Sequence, residues 1–246
     1  MKSLNDIKKY ILKEYKYRTE LHAHTLPVST CADFSAEEVV KTYAELGFDS
    51  VAITNHYTFE YRTVGFNEEP GAELFTKWYL KDFRDAQKAG EKYGINVILG
   101  AEIRFEENHN DYLVYGINQK ILEKIYDALP NGIAEFKKNE ALKDVLIIQA
   151  HPNRNGMTDI DSSYIDGMEV FNMHSGHNGR NAKTIKRAKE DNLKVLTIGS
   201  DYHHEGGAGI CAIRTKKPIK DTYELSDVLR KGDYVFDIYN DVIILP

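Results

Sequence analysis

Apolar residues gather in six short runs, at positions 20–24, 51–56, 97–102, 145–151, 168–172 and 195–203, and each run closes on His, Glu or Asn. Runs of this length, rich in Val, Ile and Leu, predict buried strands. Between them the spacing changes to that of helices. Leu4, Ile7, Ile11 and Leu12 predict an amphipathic helix over residues 4–14, expected to cover the underside of the fold. Ser35 and Glu38 form a capping box that opens a second helix, which Gly47 closes. A long helix spans about 73–93 up to Gly94, and another carries Ile121, Leu122, Ile125 and Leu129 up to Pro130. A helix over 178–191 is expected to turn Ile185 and Ala188 inward. Further strands are predicted at 112–116 and 211–215, then a helix near 223–230 and an apolar stretch at 234–244. The loop at 64–72, rich in Gly, Pro and acid, reads as a lid.

Strand and helix thus alternate, and no repeat, linker or low-complexity segment divides residues 1–246, which read as one α/β domain. If the runs are parallel strands of one barrel, their C-terminal ends share a face, and active sites of such barrels are built there. Imidazoles and carboxylates scattered along the chain would then meet.

The chain has 246 residues and a formal net charge of -6, which argues against gripping duplex nucleic acid with its own basic surface. Bound cations could still make one pocket positive, so a small anionic substrate stays open. Cys31 and Cys211 are too far apart to imply a zinc ribbon or a disulfide framework, and a reducing cytoplasm is the simplest setting. The N-terminus lacks the apolar core of a signal peptide, and no stretch approaches the ~20 apolar residues of a membrane span. Oligomeric state is not legible.

Side chains two apart in a strand share a face, so His22 and His24 can hold one ion together, and Asp201 with His203 repeats the spacing. Eight of the nine histidines lie at or just after an apolar run, His109 being the exception. Solvated surface histidines have no reason to cluster so, and a buried imidazole without a partner costs about 1–3 kcal/mol. Shared cations satisfy several at once. The pattern therefore predicts a multinuclear metal site.

The ordered segments Glu20-Leu21-His22-Ala23-His24-Thr25, Ile53-Thr54-Asn55-His56-Tyr57, Gly100-Ala101-Glu102, Ala150-His151-Pro152-Asn153-Arg154, Met168-Glu169-Val170-Phe171-Asn172 and Gly199-Ser200-Asp201-Tyr202-His203 resemble the motifs of the PHP (polymerase and histidinol phosphatase) family. The resemblance covers about residues 17–205. It implies a distorted TIM-like (βα)7 barrel with the metal site at the C-terminal ends of the strands, two or three divalent ions (Zn, Mn or Fe), and phosphoester hydrolysis. Carried over by position, it gives one ion to His22, His24, Glu102 and Asp201. Glu102 would bridge to a second ion that His151 also binds, and His56 and His203 would serve a third. Glu102, Asp201 and His203 become the expected catalytic residues, and Arg154 and His174 the expected substrate contacts. The implied activity is hydrolysis of a small phosphate monoester through a metal-bound hydroxide. A nucleotide or oligonucleotide phosphoesterase, an amidohydrolase and a metal-binding module without turnover are the alternatives.

Two positions depart from the commoner pattern. Where relatives carry Asp or His after the first HxH, this chain has Cys31, which could supply a thiolate that favours zinc or pack as a small apolar group, the usual fate of a free cysteine. Where relatives often place a histidine before the fourth strand stands Asp111, readable as an oxygen ligand or as a turn cap. Arg154 is either a phosphate fork or a salt bridge. Glu169 and Asn172 face inward or outward according to a register that the sequence leaves open. His177 could contact substrate or support a ligand, while His204 should face away from His203. Arg62 and Arg104 are anion-binding candidates in loops, and Tyr57 and Tyr202 adjoin the expected ligands.

Overall fold

The computed structural model describes residues 3–61 and 65–246. Arg62 and Val64, at the start of the expected lid, lie outside the described residues. In chain order the elements are α1 (Leu4–Glu14), β1 (Tyr17–Ala23), α2 (Ala36–Glu45), β2 (Ser50–Ile53), β3 (His56–Thr58), α3 (Ala72–Tyr93), β4 (Asn96–Leu99), β5 (Ala101–Arg104) and β6 (Asp111–Tyr115). There follow α4 (Gln119–Ala128), α5 (Gly132–Lys138), β7 (Leu146–Gln149), β8 (Gly167–Asn172), α6 (Asn181–Glu190), β9 (Val195–Gly199), β10 (Cys211–Thr215), α7 (Thr222–Lys231), β11 (Val235–Ile238) and β12 (Val242–Ile244).

The local signals act as their chemistry dictates. Ser35 accepts the Glu38 N–H while the Glu38 carboxylate reaches back to Ser35, and Gly94 ends α3 in the left-handed region at φ 73°. All strands but the partly exposed β12 are mostly buried on both faces, and Leu21, Ile98, Ile103, Leu113, Ile148, Met168 and Ile198 form one core with the helices around it. Each such side chain contributes about 1.5–3 kcal/mol of burial free energy.

The fold is mixed α/β, but the pairing describes two six-stranded sheets, β12-β11-β10-β1-β2-β4 and β3-β5-β6-β7-β8-β9, where a closed ring of seven βα units was expected. The reason is local. The runs at 51–56 and 97–102 each break in the middle, at Thr54-Asn55 and at Gly100, so each gives one strand to either sheet. A Cβ on Gly100 would stand 2.7 Å from Thr54 Cγ2 and 2.9 Å from Tyr115 Cε1, so glycine permits the close approach at the break. Tyr79 Oη lies 3.0 Å from each of the Asn55 and Gly100 carbonyls and holds both bends. At the opposite margin the sheets meet through Tyr202 N–H to His22 O at 3.2 Å and His24 N–H to Tyr202 O at 3.0 Å. The ends of β1, β2, β4, β7, β8 and β9 are thereby brought together even though the ladder does not close.

Two expectations about helices fail. No residue of α1 is buried and Leu4 is 85% exposed; Ile11 and Leu12 are half-buried, and Lys8 pairs with Asp241. On α6 Ala188 faces inward as expected, but its buried partner is Thr184, four residues earlier, which turns Ile185 outward.

Candidate metal centre

The carboxylate of Glu102 sits at the middle of the strand ends with four imidazoles around it. His22 Nε2 is 3.5 Å and His151 Nε2 3.1 Å from Oε1, while His24 Nε2 is 3.4 Å and His56 Nδ1 3.0 Å from Oε2. Asp201 stands opposite, its Oδ1 3.3 Å from His22 Nε2, 3.4 Å from His24 Nε2 and 3.3 Å from His203 Nδ1. All the expected ligands, His22, His24, His56, Glu102, His151, Asp201 and His203, thus fall in one cluster, buried or nearly so. Backbone geometry helps to place two of them. His151 and Asp201 follow β7 and β9 in the positive-φ region, at 29° and 52°. Such conformations cost about 1–3 kcal/mol and collect at functional sites.

The donor set fits divalent cations. Ligand atoms about 2.0–2.2 Å from an ion stand roughly 3.0–3.5 Å from one another, which is the spacing seen here. His22 Nε2 and His24 Nε2 face each other at 3.0 Å, and His56 Nδ1 has no well-formed hydrogen bond despite its closeness to Glu102. Among the described residues three groups could each hold an ion: His22, His24 and Glu102; Glu102, Asp111 and His151; and His24, His56 and His203.

Electrostatics follow from packing these groups together. Burial would raise Glu102 and Asp201, yet the imidazoles hold both carboxyls well below their ordinary range. His24 is pushed down by burial and by its neighbours His203 and His56, so it stays neutral. Burial also works against protonated His56 and His203, but the Glu102 carboxylate raises His56 to about 9, and Asp201 raises His203 to about 10. Burial pushes the Cys31 thiol up, and hydrogen bonds from His203 and His56 more than offset this, drawing it down to about 5.

The remaining candidates divide. Cys31 is exposed and places Sγ 3.3 Å from His56 Nε2, so the expectation that it packs as a small apolar group is overturned. The loop from Thr25 to Phe34 holds it at the rim. Asp111 is buried at the start of β6, its Oδ2 3.8 Å from His151 Nε2, and Arg104 grips it from two nitrogens at 2.7 and 3.0 Å. Arg104 is therefore spent on Asp111 and Glu60 rather than offered from a loop to an anion. Arg154 adds Nη2 to Asp111 Oδ2 at 3.1 Å, so the salt bridge forms, but beside the centre. His174 and His177 stack at 4.0 Å near the same rim, with the His174 ring 5.4 Å from that of His203. Burial lowers His174 to about 4, and its Nδ1 accepts the Gly176 N–H at 2.9 Å. His204 pairs with Asp33, and its ring stands 5.9 Å from that of His203. Tyr57 and Tyr202 face the core instead: Tyr57 hydrogen-bonds Thr76 and the Leu122 carbonyl, and Tyr202 stacks on Phe34.

Sequence reasoning left the supports of the centre unassigned. Glu169 Oε1 accepts from His22 Nδ1 at 2.9 Å, and Oε2 accepts the His151 N–H and Asn172 Nδ2, each at 2.9 Å. Asn172 Nδ2 also reaches Asp201 Oδ2 at 3.2 Å. Both side chains face inward, and the fixed tautomer leaves His22 Nε2 free to coordinate. A Cβ on Gly199 would fall 2.3 Å from Glu169 Oε1, so only glycine leaves space for this carboxylate. Asn55 does similar work on the other side: Oδ1 accepts from Ser29 Oγ at 2.9 Å, and that oxygen in turn accepts the His56 N–H at 3.0 Å. Position at a run's end was the available signal for Asn55, Glu169 and Asn172. Glu169→Gln is expected to weaken metal affinity about 10–100-fold with little change in fold. Competitive titration against a chromophoric chelator reads this directly, and unchanged affinity would remove Glu169 from the support of His22.

Comparison with known proteins agrees with the geometry. The DNA polymerase III PolC-type protein of Latilactobacillus sakei is 26% identical over 121 residues, which are 48% of this chain but 7% of that protein, so the chain spans only a small part of this curated relative. Among solved structures, a candidate metal-dependent phosphoesterase from Bifidobacterium adolescentis superposes with a TM-score of 0.52 at 17% identity, over 87% of this chain and 96% of that one. A two-domain protein from Bacteroides vulgatus, containing a predicted PHP-like metal-dependent phosphoesterase, gives 0.61 at 15% identity, over 90% of this chain and 64% of the other. At such identities the likeness speaks to the fold. The PHP domain pattern matches residues 20–173, the span that supplies Glu102, Glu169 and four of the clustered histidines, and the chain belongs to the PHP domain family.

Proposed function

We propose that the chain is a metal-dependent hydrolase acting on a small phosphate monoester. The observation that carries this reading is the Glu102 carboxylate with four imidazoles within 3.5 Å, an arrangement suited to an oxygen ligand shared by two cations. His22, His24, Glu102 and Asp201 would hold one ion, Glu102 and His151 a second, and His56 and His203 a third, with zinc, manganese or iron as the metals. Bound there, the ions would supply Lewis acidity and a water acidic enough to act as a nucleophile near neutral pH.

The chain's own residues would do the rest. Arg154, fixed by Asp111, still has donors to turn toward phosphoryl oxygens. His174 is neutral, and with Nδ1 accepting from Gly176 its Nε2 carries the proton and can donate to an ester oxygen. The two structural relatives, described as metal-dependent phosphoesterases, support phosphoester chemistry by analogy. Among the described residues no helix is long and apolar enough to cross a membrane, and a reducing cytoplasm would keep Cys31 reduced. Tyr61, with its ring 4.9 Å from that of His56, borders the centre and keeps nucleoside monophosphates among the substrates to test.

The test is release of product from a panel of phosphate monoesters, nucleotides, phosphodiesters, amides and lactones, before and after chelation. Chelator-sensitive phosphate release fastest on small monoesters is expected. Cleavage confined to amides or lactones, or no cleavage by ion-loaded protein, would overturn the reading.

A further inference from the structure

We propose that Cys31 is a thiolate ligand to a cation held with His56 and His203, which makes this edge of the centre selective for zinc over manganese. The inference rests on the metal-dependent reading above and adds to it the identity of one donor and the class of metal that the donor selects.

Three observations converge on the sulfur. Sγ lies 3.3 Å from His56 Nε2, and the His56 ring is 5.9 Å from that of His203. An ion about 2.3 Å from sulfur and 2.0–2.1 Å from imidazole nitrogen sets those two atoms roughly 3.5 Å apart, close to the spacing observed. The other nitrogen of His56 lies 3.0 Å from Glu102 Oε2, so the ring stands between the Glu102 carboxylate and the sulfur. Finally, the loop that carries Cys31 is tied to both histidines. Ser29 Oγ accepts the His56 N–H at 3.0 Å, and the Asp33 N–H donates to the His203 carbonyl at 2.9 Å. The sulfur is thus held on two sides rather than left on a free loop.

The chemistry of the donors sets the preference. A thiolate with imidazoles suits zinc, whereas manganese and magnesium favour oxygen ligands, and the Glu102 and Asp201 side of the centre offers those. Cys211 is buried in β10, so a sulfur signal from an ion at the centre belongs to Cys31.

The chelated full-length chain is loaded with cobalt(II), and zinc is titrated into wild type, Cys31→Ser and Cys31→Asp. Wild type should show a sulfur-to-cobalt charge-transfer band in the near ultraviolet. Cys31→Ser should lose the band, bind one fewer zinc ion per chain and weaken that site at least about 10-fold, with unchanged far-ultraviolet circular dichroism. Cys31→Asp should remain without the band yet regain the ion with manganese. Cobalt bound without a sulfur band, or Cys31→Ser with wild-type zinc number and affinity, overturns the thiolate ligand and leaves the metal-dependent reading intact. A wild-type chain that binds no ion overturns both.

Discussion

Glu102→Gln is expected to lower turnover by about 1,000-fold or more while leaving the fold intact. Glu102 offers an oxygen to each side of the cluster, Oε1 toward His22 and His151 and Oε2 toward His24 and His56. The amide keeps the shape but loses the charge, and its NH2 group cannot accept from an imidazole or bind a cation. On the proposed reading two ions would lose a shared ligand together, so the effect should exceed that of losing any one histidine. Steady-state rates, with circular dichroism of the same samples, give the check. Retained turnover with normal metal content would remove Glu102 from its central role.

The second large effect concerns pH, with the centre emptied by chelation. His56 rises from an ordinary value of 6.5 to about 9, and His203 to about 10. A group raised by folding stabilises the fold while it is protonated, so this contribution is full below 6.5 and is lost as pH climbs through 9 to 10. Glu102 and Asp201 are shifted the other way, and their contribution is lost as pH falls below the ordinary carboxylate range. The chelated chain should therefore be most stable in mildly acidic solution and lose Tm steadily from pH 7 to 10, roughly 2–4 °C for each kcal/mol lost. Ion-loaded protein should behave oppositely over pH 6 to 8, because its histidines bind metal only when deprotonated. Thermal melts with chelator and with zinc test both arms. A chelated Tm that holds steady or rises from pH 7 to 10 would contradict this account of the centre.

Much of this centre was legible because metal ligands are stereotyped in type and position. His22 and His24 share a face by strand periodicity, and Glu102, His151 and Asp201 each terminate an apolar run, so strand ends brought together bring the ligands together. What was not legible depends on three-dimensional register. Whether Glu169 faces His22 or solvent turns on a single residue of offset in β8, where the pairing with β9 itself slips between Glu169 and Phe171. Closure of the barrel failed as an expectation because the short breaks at Thr54-Asn55 and Gly100 stay buried with the strands around them and interrupt only the pairing. Cys31 was misplaced because composition describes an average cysteine, while this one is held at the rim by contacts of Ser29 and Asp33 that only the fold creates. The outward side of α1 shows the same limit: amphipathic spacing predicts the helix but not whether anything covers its apolar stripe.

The most direct test of the central claim is the number of ions per chain in purified wild type and Glu102→Gln, measured by elemental analysis after equilibration with zinc or manganese. The account predicts two or three ions in wild type and the loss of at least one in the variant. A wild-type chain holding one ion or none, or a variant that keeps the full number, would contradict a multi-ion centre organised by Glu102.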